Sequence, residues 1–155
     1  MYEPPDTIHT LHVPEDNAGS TVALFTVAKG MDLYDGEGNV FITDSGNDRI
    51  RKVDPGGGVT SGAGSGVKGF ADGAGIAAQF KCPSCVEVDG EGHLFITDSW
   101  NHRVRKVDPA GGVTTVAGSG EDGFADGAGA AAQFNWPSGI AIDGEGNLLI
   151  TDCYN

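Results

Sequence analysis

Cys82-Pro83-Ser84-Cys85 sets two thiols three residues apart, the spacing of a redox pair or of half a zinc site. A redox pair needs the start of a helix to lower one thiol's pKa, but Val86-Glu87-Val88 follows and is β-forming. A tetrahedral zinc site needs a second soft pair, and the third cysteine, Cys153, stands alone. The pair therefore reads as drift within a repeated frame or as an incidental local disulfide.

Other chemistry-bearing residues recur rather than converge. Asp35-Gly36-Glu37-Gly38, Asp89-Gly90-Glu91-Gly92 and Asp143-Gly144-Glu145-Gly146 have the flavour of a calcium loop. The fixed series of ligands and the closing Glu of such a loop are missing, so hairpin turns explain them better. His9 and His12 stand three apart, which in a strand puts them on opposite faces. Asp44, Asp98 and Asp152 are each followed three residues on by Asn47, Asn101 and Asn155, a pattern of side-chain braces on turns. Arg49-Ile50-Arg51-Lys52 and Arg103-Val104-Arg105-Lys106 read as solvated strands pairing with neighbouring acids. No Ser-His-Asp set, phosphate loop or paired-carboxylate cleft is present. Near-identical copies argue against catalysis, because an active site needs one asymmetric set. We assign no catalytic residue, no cofactor-binding residue and no metal ligand.

The elements that carry these residues repeat with a period of 54, from Asp35 to Asp89 to Asp143. Residues 35–88 and 89–142 align without a gap and match at roughly two positions in three, and a period near 50 marks a supersecondary unit stacked on its copies. In the best copy, β-rich runs at 86–88, 93–97, 102–107 and 113–117 are separated by turn residues. Four strands joined by tight turns make an antiparallel meander, and a longer connector, 118–138, leads to the next copy. Within it, residues 130–134 could form one helical turn. Phe70, Phe80, Phe124 and Phe134 read as anchors that pin the connector between units. The predicted fold is all-β: four-stranded antiparallel blades of a β-propeller.

Asn101-His102-Arg103-Val104-Arg105-Lys106-Val107, then Val116-Ala117-Gly118 and Pro137-Ser138-Gly139-Ile140-Ala141-Ile142-Asp143, resemble the NHL repeat. The resemblance covers residues 31–155, about two to three blades of the six that such propellers commonly close. It implies a protein-interaction platform. Propellers of this kind also include RNA-binding regulators, an amidating lyase and lactonase-like hydrolases that hold a divalent metal in the channel. The earlier copy departs from the pattern, with Asp48 in the place of His102 and Gly46 in that of Trp100. Residues 1–30 match poorly; 7–13 and 21–27 read as strands of a degenerate blade. Met1-Tyr2-Glu3-Pro4-Pro5-Asp6 lacks the basic and apolar regions of a signal peptide. Asn155 falls inside the turn before a third strand, leaving a blade edge open to self-association. We expect a fragment of a longer chain or part of an assembly, or else a half-propeller completed by a second copy.

With 22 acidic and nine basic residues the net charge is −13, which disfavours nucleic acid and anionic membranes. No run of apolar residues is long enough for membrane insertion. Alternate turns of a blade emerge on opposite faces. The 98–101 turn and the 118–138 connector share the face that varies between copies: Trp100 replaces Gly46 and Trp136 replaces Cys82. Trp100, Tyr154, Trp136 and Phe124 are thus the candidate partner-binding residues. The function expected is a non-enzymatic interaction platform or accessory subunit with a protein partner. The alternative is part of a metal-dependent propeller enzyme, lyase or lactonase-like, its ligands in other blades. Histidines or carboxylates on the inner strands would favour that alternative, and residues 86–88 and 140–142 offer only Glu87.

Overall fold

The computed structural model describes residues 36–155 in full, together with the backbone of three earlier strands. Those are β1 (Ile8–Thr10), β2 (Leu24–Thr26) and β3 (Ala28–Leu33). β1 and β2 pair antiparallel, inside the two stretches read as N-terminal strands. Met1-Tyr2-Glu3-Pro4-Pro5-Asp6, His12, the side chain of His9 and Asp35 lie outside the described residues.

The first blade comprises β3, β4 (Val40–Asp44), β5 (Arg49–Val53) and β6 (Val59–Ala63), hydrogen-bonded in chain order. β7 (Gly73–Ala74) lies in the connector. The second blade follows as β8 (Pro83–Val88), β9 (Leu94–Asp98), β10 (Arg103–Val107) and β11 (Gly112–Ala117). β12 (Pro137–Ile142) and β13 (Leu148–Asp152) form an antiparallel pair at the start of the third unit. The four-stranded meander stands as predicted, all antiparallel. It gains a fifth strand: β7 pairs with β11, Gly73 opposite Val113, and caps an edge that would otherwise be open.

The turns form for local reasons. Asp89 closes its hairpin with a backbone pair to His93 and accepts the Glu91 and His93 amides on its carboxylate at 2.9 and 2.8 Å. Gly92 takes φ +83, which a Cβ would disfavour. The next turn is a 3-10 turn, Ser99–Asn101, ended by His102 at φ +52. His102 is therefore a left-handed cap rather than the first residue of a strand; Asp48 plays the same part at φ +50. Short polar or imidazole side chains bear this conformation better than branched ones. In the 118–138 connector the predicted helical turn is a 3-10 turn at Gly129–Ala131, displaced toward the N-terminus, and Gln133 bridges Ala125 in extended form.

The core lies in the seam between blades. Phe41, Ile50 and Ala63 of the first blade join Val86, Leu94, Ile96, Val107 and Val113 of the second, with Ala78 and Phe80 of the connector between them. Each fully buried aliphatic side chain contributes about 1.5–3 kcal/mol, so stability resides in blade stacking more than in any one blade. The first strands β3, β8 and β12 lie against one another, as the inner strands of a propeller do. Phe80 is the anchor expected. Phe124 is 75% exposed and is no anchor, because the connector turns its ring outward.

Candidate functional site

A bulge locks each blade to the next. Pro83 pairs with Asp98 and Cys85 with Thr97, so Ser84 is the extra residue of β8 and its side chain is re-aimed. Ser84 Oγ lies 2.6 Å from Ser99 Oγ, 3.0 Å from Thr97 Oγ1 and 2.8 Å from the Ser138 carbonyl of the third unit. Ser99 Oγ donates to Pro137 O at 2.6 Å and Thr97 Oγ1 to Ser138 O at 3.1 Å. One period earlier, Thr43 donates to Ser84 O at 3.2 Å and Ser45 to Pro83 O. Hydroxyls of each second strand thus hold the first strand of the next blade. A second latch joins the left-handed residues. The Cys82 amide donates to Asp48 Oδ1 at 2.7 Å, and the Trp136 amide to His102 Nδ1 at 3.3 Å.

The end of β9 carries a buried charge system. Asp98 accepts Asn101 Nδ2, the Lys81 amide and Arg105 Nη1, each at 2.8 Å. Burial pushes its carboxyl up to about 6 against those hydrogen bonds. Arg105, with no exposed surface, also donates to Gln79 O, Ala71 O and Asp72 Oδ1 at 3.0, 2.8 and 2.6 Å. Its guanidinium stacks near Phe70 and Phe80. The expectation of solvated arginines therefore fails here: folding the connector over β10 encloses this side chain. Arg49 and Arg103 instead cap connector carbonyls, Ser65 O and Ser119 O, each at 2.6 Å. The Asp–Asn braces are present, though side chain to side chain: Asn47 and Asn101 donate to Asp44 and Asp98, and Asn155 to Asp152. Asn101 and Asn155 also reach the connector, at Gly69 O and Gly123 O.

These braces hold the turns that carry the candidate aromatic residues. The Trp100 amide donates to Lys81 O at 3.1 Å and the Tyr154 amide to Asn135 O at 3.2 Å. The tips of successive units are thereby pressed onto the connectors. The Trp100 and Trp136 rings stand 5.2 Å apart with a 50° tilt, and Tyr154 meets Trp136 edge-on at 5.8 Å. Trp100 and Trp136 are each 37% exposed and Tyr154 69%. Three of the four predicted residues form one cluster; Phe124 makes no ring contact among the described residues. Two lysines missed in the sequence join it, with Nζ of Lys68 4.3 Å and of Lys81 5.6 Å from the Trp100 ring centroid. Their only sequence signal is that the next copy has Asp122 and Asn135 there.

The profile of the NHL repeat matches residues 80–107 and 134–155, the segments that open the second and third units. The chain carries NHL repeats. A stretch of 88 residues is 39% identical to Protein SUPPRESSOR OF QUENCHING 1, chloroplastic, of Arabidopsis thaliana, over 56% of this chain and 8% of that protein. NHL repeat-containing protein 2 of Homo sapiens is 36% identical over 84 residues, 52% of this chain and 12% of that protein. The chain thus spans a small part of these relatives. Among solved structures, a Bacteroides thetaiotaomicron VPI-5482 protein of unknown function is 32% identical with a TM-score of 0.74, over 79% of this chain and 32% of that one. Virginiamycin B lyase from Staphylococcus aureus shares the fold at 15% identity and a TM-score of 0.53, over 94% of this chain and 39% of that one.

The hairpin turns of the NHL units explain the one metal-like cluster among the described residues. Asp89, Glu91 and His93 bring one ligand atom each within 4.8 Å of one another. In the next unit Asn147 Nδ2 donates to Asp143 Oδ2 at 2.9 Å and Glu145 Oε2 at 3.4 Å. His93 Nδ1 takes that same place, 2.8 Å from Asp89 Oδ2 and 3.6 Å from Glu91 Oε2. The recurring N–H donor makes the imidazole a turn brace. Partial burial pushes the Asp89 carboxyl up, but bonds from the His93 amide and ring and the Glu91 amide outweigh it and leave it below the usual range. Cys82 and Cys85 are both free thiols. Cys82 sits at φ +52 and leads into β8, not into a helix.

Proposed function

We propose that this chain is the non-enzymatic, partner-binding part of an NHL-repeat propeller, with a protein partner seated on Trp100, Trp136 and Tyr154. The observation that carries the reading is the clustering of these part-exposed rings on residues that vary over an otherwise recurring frame. Large aromatic side chains on a rigid support lose little entropy on binding and dominate interface energetics. Phe124, exposed farther along the same connector, extends the surface. Of the converging strands, β3 carries Asp32 and β8 carries Glu87, β12 has no carboxylate, and none of the three has an imidazole.

The test selects binders to the full chain from a random peptide display library and measures their affinity for the wild type and for Trp100→Gly. Gly46 occupies the equivalent 3-10 turn one period earlier, so the variant keeps its fold. Loss of a buried Trp anchor costs ~2 kcal/mol, a drop of roughly thirtyfold in affinity. Unchanged affinity with an unchanged melting curve would place the contact elsewhere, the acidic turns of Asp89, Glu91 and Asp108 being next.

A further inference from the structure

We infer that the segment received at this face is acidic, with one or two carboxylates that meet Lys68 and Lys81 beside an apolar residue on the Trp cluster. The inference rests on the aromatic cluster being the contact face.

In a chain of net charge −13, all four arginines are already engaged. Arg51 and Arg105 pair with Asp44, Asp98 and Asp72, while Arg49 and Arg103 cap carbonyls. Lys68 and Lys81 have no carboxylate partner among the described residues. Both converge on Trp100. The ring attracts an ammonium through its π face but occupies only one side of it. Three donors per Lys leave others open, and a carboxylate beside two such groups gains charge-assisted hydrogen bonds. None of the three residues recurs in the neighbouring copy: Trp100 replaces Gly46, and the copy after Lys68 and Lys81 has Asp122 and Asn135. Drift spread evenly along a repeat would not assemble two ammonium groups and an indole at one point. The remaining charge of the chain repels an extended acidic ligand, so the carboxylates must be few and close, within the screening length of about 8 Å.

The same display library provides the test. Peptides that bind the full chain are sequenced, and their affinities are measured by fluorescence anisotropy against wild type, Lys68→Gln/Lys81→Gln, Lys68→Glu/Lys81→Glu and Trp100→Gly. Enrichment of Asp or Glu next to an aromatic or aliphatic residue is expected. The double Gln variant should lose about tenfold, as for charge-assisted bonds at a part-exposed site, and the double Glu variant more. Replacing the peptide's carboxylates by amides should cost the same factor on the wild type and nothing on the double Gln variant. Binders without carboxylates, or undiminished affinity of the double Gln variant where Trp100→Gly binds weakly, would overturn the acidic ligand and leave the aromatic face standing. Binding that survives Trp100→Gly would overturn both, as would a library that yields nothing.

Discussion

Arg105→Met replaces a fully buried guanidinium by an apolar side chain of similar length. Asp98 then keeps its Asn101 and Lys81 hydrogen bonds but loses its ion pair, and Gln79 O and Ala71 O each lose one of two donors, keeping only the backbone amide of the other. Removing one partner of a buried pair typically costs about 3–5 kcal/mol, a large part of the 5–15 kcal/mol that holds a domain together. Arg51, its counterpart in the first blade, is part-exposed and 3.3 Å from Asp44, so Arg51→Met should cost about 1 kcal/mol or less. Urea denaturation followed by tryptophan fluorescence measures both. The Asp98 carboxyl stands at about 6 in the folded chain against 3.8 unexposed to its fold, so the folded state holds this proton more tightly. Its contribution is full below 3.8 and is lost as pH rises through 6. Without the guanidinium the charged form is poorer still, so part of the Arg105→Met loss should return on going from pH 7.5 to pH 5. Equal losses in the two variants, or a loss independent of pH, would refute the buried-pair account.

Two further outcomes test the frame. Ser84→Ala removes the hydroxyl shared among Thr97, Ser99 and Ser138 and should lower stability by about 1–3 kcal/mol in the same denaturation assay, whereas Ser119→Ala, at a half-buried site whose hydroxyl accepts only the Glu121 amide, should cost less. Gly118→Ala should melt well below wild type, because Gly118 has φ +97 and a Cβ there would collide with the His102 carbonyl; Gly90→Ala, with nothing within 4 Å, should melt with wild type.

The period of 54 residues, the strand runs and the turn residues determined the blades, because hairpins are encoded by neighbouring residues: Asp89 and Gly92 build their turn within five positions. The clustering of the aromatic residues was legible to the same extent, since alternation of turns places Trp100 and Trp136 on one side. What the tertiary structure decided are pairings between residues 19 to 54 apart in sequence, such as Lys81 with Trp100 and Ser84 with Ser138. Arg103, Arg105 and Lys106 look alike in one run. Yet only Arg105 is enclosed, because the connector from Ala71 to Gln79 crosses it and supplies the carbonyls and Asp72 that compensate its charge. Phe70 and Phe124 occupy equivalent positions, but the guanidiniums of Arg103 and Arg105 stack against Phe70 and leave it 44% exposed, a partial anchor, while Phe124 is 75% exposed. A local code fixes strands and turns; burial, charge compensation and ring contacts depend on which blade faces which connector.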